Sequence, residues 1–267
     1  GGNIAIGRNA LYAQDAGADA YNVAIGYYAG SAVSTAVEST FVGYLAGDAV
    51  TTSSGNTALG SQALGEQAGD YNTAVGRQAC NGVTSSGNRN TGVGEVALTS
   101  VNSGAKNVGL GNAAGYAITS GENNIMLGVD AGRTGSPGGN FTTHSNRITI
   151  GDENIVEFNA QVDVSPASDE RDKTDFTALD IGLDFVKQLN PLTYKWDKEE
   201  QLEIGFKAQE VAKLEESSGY KIADKTNLVS KLSGDGKQYS LTYARFVPIL
   251  VKAIQELSAK NDALEAR

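Results

Sequence analysis

Asn72-Thr-Ala-Val-Gly76 is one copy of a pentapeptide that recurs through the first half of the chain. Before it stand Asn3-Ile-Ala-Ile-Gly7, Asn22-Val-Ala-Ile-Gly26, Ser39-Thr-Phe-Val-Gly43 and Asn56-Thr-Ala-Leu-Gly60. After it come Asn90-Thr-Gly-Val-Gly94, Asn107-Val-Gly-Leu-Gly111 and Asn124-Ile-Met-Leu-Gly128, then, past a longer gap, the looser copy Arg147-Ile-Thr-Ile-Gly151. The regular marker glycines are 16 (Gly60 to Gly76) to 19 (Gly7 to Gly26) residues apart. An alanine follows three residues later: Ala10, Ala29, Ala46, Ala63, Ala79, Ala97, Ala114 and Ala131. A period near 17 is too short for two-helix repeats, whose units run about 33 to 47 residues. It suits one coil of a parallel β-helix or β-roll. Each coil is predicted to hold a short strand, a glycine corner, a second short strand around the alanine, and a polar return loop. Glycine supplies left-handed corners; asparagine tolerates them and can stack on the asparagine of the next coil. At about 4.8 Å per coil, eight or nine coils make a rod about 40 Å long. The handedness of the coil is left open.

Such a coil offers mainly Ala, Val, Ile and Leu for burial, so a single column leaves apolar faces uncovered. Burial against two further chains is the expected solution, giving a parallel homotrimeric fibre. The asparagines, aspartates and glycines of the loops are read as turn formers. His144, in Thr142-Thr-His-Ser145, is expected to be an exposed loop residue, and Cys80 a small buried hydrophobe.

Composition narrows the function. The chain has 267 residues, enough for one or two domains. Its 33 glycines lack a three-residue period, which excludes collagen, and four prolines are too few for a low-complexity segment. A single cysteine excludes a disulfide framework and a cysteine metal site, and a single histidine excludes a histidine cluster. No cofactor and no metal are expected. A net charge of −10 argues against nucleic acid or an anionic membrane as partner. No apolar run reaches the roughly 18 residues of a membrane span. The opening Gly1-Gly2, without Met, reads as the start of an excised fragment, so the lack of a signal peptide says little about location.

Ser168-Asp-Glu-Arg-Asp-Lys173 divides two unlike halves. Before it Lys106 is the only lysine; after it Lys, Glu, Leu and the single Trp196 appear and glycine is rare. We therefore expect a β-solenoid over 1–151, a connecting strand and linker over 152–167, and an α+β domain over 168–267. Residues 154–164 alternate partly, as a half-buried strand does, and Ser165-Pro166-Ala167 breaks them. Thr177 is a fair N-cap for a helix striped by Leu179, Leu183, Val186 and Leu189, which Asn190-Pro191 stops. Strands are expected at Leu192–Trp196 and Ile204–Phe206, a short helix through Ala208–Ala212, and weaker strands at Tyr220–Ala223 and Leu228–Leu232. Ser233-Gly-Asp-Gly236 reads as a hairpin turn into Gln238–Thr242. Over 246–267, Val247, Leu250, Ile254, Leu257, Asn261 and Leu264 follow a 3,4,3,4,3 spacing, a heptad seam of trimeric coiled-coil type. A lone Asn261 in the seam restricts register. The bland alternative is a core helix packed on its own domain. Pro248 is placed in or near the first turn.

The repeats over roughly residues 1–132 resemble those of trimeric autotransporter adhesin heads. The second half resembles the intramolecular chaperone and auto-processing domain of bacteriophage tail spikes, tail fibres and endosialidases. The residues that carry this are Ser168-Asp-Glu-Arg-Asp-Lys-Thr174, Leu189-Asn-Pro-Leu-Thr-Tyr-Lys-Trp196, Ile204-Gly-Phe-Lys-Ala-Gln-Glu210, Tyr239-Ser-Leu-Thr-Tyr243 and Ala253-Ile-Gln-Glu-Leu257. The resemblance implies a domain that trimerises, assists folding of the fibre before it, and releases itself by a single cut. Ser168 would be the nucleophile and Lys173 the general base, with the junction at Ala167, Ser168 and Asp169. Asp172 stands where the family usually has an apolar residue, a departure that bears on the speed of cleavage. A neutral lysine amine can take a serine proton, and Ser-Lys pairs replace Ser-His-Asp arrangements elsewhere. The lysine must then be desolvated or set near positive charge; Arg171 acts in that direction, whereas Asp169, Glu170 and Asp172 oppose it. A spacing of five does not align two side chains on a helix face, so a turn is required. Taken alone, the hexapeptide reads better as a charged junction that caps the next helix; the downstream motifs favour the catalytic reading.

The expected function is a phage tail-fibre segment for host adhesion, located in the virion tail and made in the host cytoplasm. A host cell-surface receptor and upstream tail proteins are its expected partners. The alternative is a non-cleaving trimeric surface adhesin with a permanent C-terminal trimeriser. No activity on other substrates is expected, since no carboxylate pair stands out from the loops.

Overall fold

The computed structural model describes residues 2–15, 19–84, 86–155, 157–161, 166–197, 200–233 and 236–266. It divides into two compact units, Gly1–Ile155 and Val156–Arg267.

In the first unit every marker pentapeptide forms a three-residue strand. These are β1 (Ile4–Ile6), β2 (Val23–Ile25), β3 (Thr40–Val42), β4 (Thr57–Leu59), β5 (Thr73–Val75), β6 (Thr91–Val93), β7 (Val108–Leu110), β8 (Ile125–Leu127) and β9 (Ile148–Ile150). They pair in sequence order as one nine-stranded parallel sheet, so the unit is a parallel β-solenoid. Register is strict: Thr57 lies opposite Thr73, Ala58 opposite Ala74 and Leu59 opposite Val75. The central side chain of a strand points inward and its two neighbours outward, the period of two inherent in a strand. Ala24, Phe41, Ala58, Ala74 and Met126 are fully buried, whereas Ile25, Leu59, Leu110, Ile148 and Ile150 are exposed.

The asparagines form a ladder through the interior. The Asn72 backbone N–H donates to Asn56 Oδ1 (2.8 Å), Asn90 N–H to Asn72 Oδ1 (2.9 Å), and Asn107 N–H to Asn90 Oδ1 (3.0 Å). Their amide groups donate onward to the carbonyls of Gly87, Gly104 and Gly121. Ser39 continues the ladder in the third coil through its hydroxyl, which accepts the Asn56 N–H at 3.2 Å. Each rung satisfies a buried N–H that the sheet leaves unpaired. Asn90→Ala orphans the Asn107 N–H in the interior. It should lower unfolding free energy by about 1–3 kcal/mol, read from denaturant unfolding.

Two expectations are corrected here. First, the marker asparagines of the ladder are not the left-handed residues; the residue before each one is, including Tyr21 (φ 54°), Tyr71 (φ 59°), Arg89 (φ 56°) and Lys106 (φ 59°). That conformation costs about 1–2 kcal/mol for an L-residue. It recurs where the N–H bonds the neighbouring coil, as Tyr71 does to the Ser54 carbonyl (3.0 Å), Arg89 to Asp70 (3.0 Å) and Lys106 to Asn88 (2.9 Å). Second, no strand forms around the alanines. Residues two and four past the marker glycine are left-handed, as at Gln62 (φ 57°) and Leu64 (φ 55°), and alternating hand folds the segment into turns. The turns still stack, for Leu64 N–H donates to the Ala79 carbonyl (3.0 Å) and Leu98 N–H to Ala114 (3.0 Å). The alanines from Ala29 to Ala131 are fully buried there.

Each coil also has more core of its own than composition suggested. Leu11, Val33, Phe41, Val50, Leu64, Leu98, Ile118, Met126 and Phe141 form one continuous cluster with the alanines. The large side chains are accommodated by glycines beside them, as Gly115 and Gly132 adjoin Met126. Phe41 has room because Gly30 adjoins its ring, where an added Cβ would sit 2.8 Å from Cδ2. The marker glycines stack on each other with φ near +130°, and a Cβ on Gly7 would lie 2.6 Å from the Gly26 carbonyl oxygen. Cys80 lies in this core, and desolvation pushes its thiol up to about 12. His144 is half-buried rather than exposed, its ring 5.7 Å from that of Phe141.

None of the described residues between 154 and 161 forms the expected strand, and 156 and 162–165 lie outside the described residues. The helix expected from Thr177 shrinks to α1 (Leu183–Val186), with Gly182 at its N-cap. Gly182 is at φ −152°, ψ −119°, which breaks the helix, so Thr177 caps nothing. The stripe is nevertheless apolar for the expected reason, since Leu179, Val186 and Leu189 pack on a core of Ile181, Phe185, Val211, Val229, Phe246 and Ile249. Strand β10 (Leu192–Tyr194) pairs antiparallel with β11 (Glu203–Gly205). Helix α2 (Ala208–Ser217) is longer than expected. Strand β12 (Ser230–Leu232) pairs antiparallel with β13 (Tyr239–Leu241). The turn residues Gly234 and Asp235 lie outside the described residues, and Tyr220–Ala223 is turn rather than strand. The chain closes with α3 (Phe246–Glu265), in whose first turn Pro248 lies.

Candidate functional site

Ser168 is followed by Asp169 in an extended conformation (φ −65°, ψ 135°) and by one turn of 3-10 helix over Glu170–Asp172. Lys173 then leaves the turn extended, its N–H bonded to the Glu170 carbonyl at 3.1 Å. This single turn reverses the chain enough to bring the two ends together. Lys173 Nζ donates to Ser168 Oγ at 2.7 Å and to the Ser168 carbonyl oxygen at 3.1 Å. The spacing of five thus acquires its geometry from a local turn within one chain.

Electrostatics differ from expectation. Arg171 is engaged by Asp169: Nε lies 3.0 Å from Oδ1 and one Nη 2.6 Å from Oδ2. That bond holds the Asp169 carboxyl below the usual carboxylate range, and Arg171 correspondingly higher. The guanidinium charge is thus matched locally by the Asp169 carboxylate. Ser168, Glu170, Asp172 and Lys173 are all exposed. A lysine becomes a base when water is excluded from it. Geometry is therefore present in the chain by itself, and desolvation is not.

The C-terminal helix α3 shows two faces. Phe246, Ile249 and Ala253 are buried against their own domain, as the core-helix alternative requires. Val247, Leu250, Ile254, Leu257 and Leu264 lie on the exposed side, Ile254 and Leu264 at 66%. Asn261 is exposed too, its amide donating to Glu265 Oε1 at 2.9 Å. Two further contacts order this domain and had no signal in the sequence. The buried carboxylate of Glu215 accepts the N–H groups of Leu228 (2.9 Å), Val229 (2.6 Å) and Ser230 (3.1 Å), fixing the start of β12. Glu256 Oε2, on α3, accepts the Leu183 N–H at 2.8 Å and caps α1 from 73 residues away. Among the described residues no group of three or more His, Cys, Asp or Glu is placed to hold a metal ion. Among the described residues no helix is long and apolar enough to cross a membrane.

Residues 168–220 match a peptidase family described as the chaperone of endosialidase. The match starts at Ser168 itself, the first residue of the turn that holds the serine–lysine pair. It implies self-cleaving serine peptidase activity in general for the chaperone segment. It takes in the junction, α1, β10, β11 and α2; the Tyr239–Tyr243 and Ala253–Leu257 motifs lie beyond it. No curated protein and no solved structure matches the chain.

Proposed function

We propose that this chain is a segment of a bacteriophage tail fibre that serves host adhesion, and that its C-terminal domain is a trimerising intramolecular chaperone which releases itself at the Ser168 junction. The observation that carries this is the 2.7 Å contact of Lys173 Nζ with Ser168 Oγ at the first residue of the chaperone match. In the reaction, neutral Lys173 takes the Ser168 hydroxyl proton as Oγ attacks a peptide carbonyl at the junction. An acyl ester forms, the C–N bond breaks, and the leaving amine receives the proton. Water then hydrolyses the ester, leaving a carboxylate and a free hydroxyl, in a single turnover.

The homotrimer has two supports. The outward aliphatic flanks of the solenoid strands, among them Ile25, Leu59 and Leu110, form an exposed row. The seam of α3 is the second exposed apolar row, with the heptad spacing of a coiled coil. Three copies joined there would bury both and exclude water from the junction. The solenoid would then meet a host cell-surface receptor, upstream tail proteins would hold it, and the assembly would reside in the virion tail after synthesis in the host cytoplasm. Light scattering on the purified protein tests this, with a gel of the same sample over time. A trimer that separates into two fragments is expected. A monomer at micromolar concentration contradicts the assembly, and a stable uncut trimer favours a permanent trimeriser on an adhesin.

A further inference from the structure

Four residues, Asp169 to Asp172, lie between the serine and the lysine, and the reaction as written uses none of them. One of them holds the turn from two sides. Asp169 Oδ1 accepts the Arg171 backbone N–H at 2.9 Å, the bond of an N-cap. The same carboxylate receives the Arg171 guanidinium through Nε (3.0 Å) and Nη (2.6 Å). Behind this clamp the backbone closes, Asp172 N–H on the Asp169 carbonyl (3.3 Å) and Lys173 N–H on that of Glu170 (3.1 Å). The turn buries no residue, so packing does not hold it. Its hydrogen bonds do, and the side chain that accepts a backbone N–H of the turn is that of Asp169.

We propose that Asp169 is a positioning residue for self-cleavage: its carboxylate caps the turn that delivers Lys173 Nζ to Ser168 Oγ. This rests on the autoproteolytic reading above. The acceptor oxygen matters more than the negative charge, because the charge is matched by Arg171 and the cap is made by Oδ1. Without the cap the turn opens, the lysine leaves the serine, and only the closed fraction reacts.

The test compares cleavage rates of the full chain carrying Asp169→Ala, Asp169→Asn and Asp169→Ser. Loss of a cap shifts a short helical turn by about tenfold in population. Asp169→Ala should therefore slow cleavage about tenfold, while Asn and Ser, which keep a capping oxygen, should stay within about threefold of wild type. Trimer content should be unchanged in all three. Equal slowing in Ala, Asn and Ser, or no slowing in Ala, overturns the proposal. A second readout is independent of cleavage. In an uncut Ser168→Ala chain, the Arg171 amide proton should titrate with a carboxyl group below the usual aspartate range, and the titration should vanish in Asp169→Ala. If wild type is never cut yet this titration appears, the autoproteolytic reading fails while the cap stands. An Arg171 amide that ignores Asp169 removes the cap itself.

Discussion

A Ser168→Ala chain is expected to remain a single 267-residue polypeptide under conditions in which wild type separates into fragments near 1–168 and 169–267. The substitution removes one oxygen from an exposed residue, so folding and assembly should be unaffected. Lys173→Arg should be as inert as Lys173→Ala. A guanidinium keeps the positive charge and can still donate to Ser168 Oγ, but it does not release a proton near neutral pH. Loss of a positioned base is worth about 10²–10⁴ in rate, so either lysine variant should leave at most a trace of product. In the structure the lysine donates to Oγ, the opposite of the transfer that starts the reaction. Cleavage should accordingly slow as pH falls, because an ammonium accepts no proton. Asp169 does not blur this slope. Its carboxyl lies below the ordinary range in the folded state, so its contribution to the turn is present above the unfolded value, near 3.9, and is lost only as pH falls through the lower folded value. Full processing of Ser168→Ala would instead mean that a contaminating protease cuts the junction.

The second large effect concerns folding. A chain ending near residue 164, never joined to the C-terminal domain, should be recovered mainly as aggregate or misassembled oligomer. The solenoid is one parallel sheet whose strands are each three residues long, with every pairing 16 or more residues apart in sequence. Non-local pairing of this kind is slow and exposes strand edges while it proceeds. Its outer flanks, such as Ile4, Ile6 and Ile148, add apolar surface at the ends of the sheet. A domain that gathered three chains would shorten that exposure. Soluble, ordered trimers of the truncated chain in good yield would remove the basis for a chaperone role; the solubility and circular dichroism of the two proteins, expressed side by side, decide it.

Much of the solenoid was legible because its rule is repetitive. The pentapeptides became the strands in the expected register, and the asparagines became a ladder because each side chain sits one coil from the next N–H. The left-handed residues were not legible. Tyr71, Arg89 and Lys106 have no local preference for φ near +60°; they take it because stacking rewards it in every coil. The pairing of Phe41 with Gly30 was present in the sequence as a complementarity of size, but only a three-dimensional register shows which positions face each other. In the second unit, the apolar stripe from Leu179 to Leu189 foretold burial and misled about helix length. Gly182 and the Glu256 carboxylate, which accepts the Leu183 N–H from far along the chain, set the real boundary. At the junction, the need for a turn was evident from the spacing of five, whereas the role of Asp169 in making it was hidden among alternating charges. Arg171 was expected to act on Lys173 and instead binds its neighbour.

Intact mass spectrometry of freshly expressed wild-type protein, followed over hours, tests the central claim most directly. The account predicts loss of the 267-residue mass and the growth of two complementary masses whose boundary falls at Ala167–Ser168 or Ser168–Asp169, in a sample that light scattering shows to be trimeric. A single unchanged mass in a folded trimer, or a cut at any other bond, would contradict it.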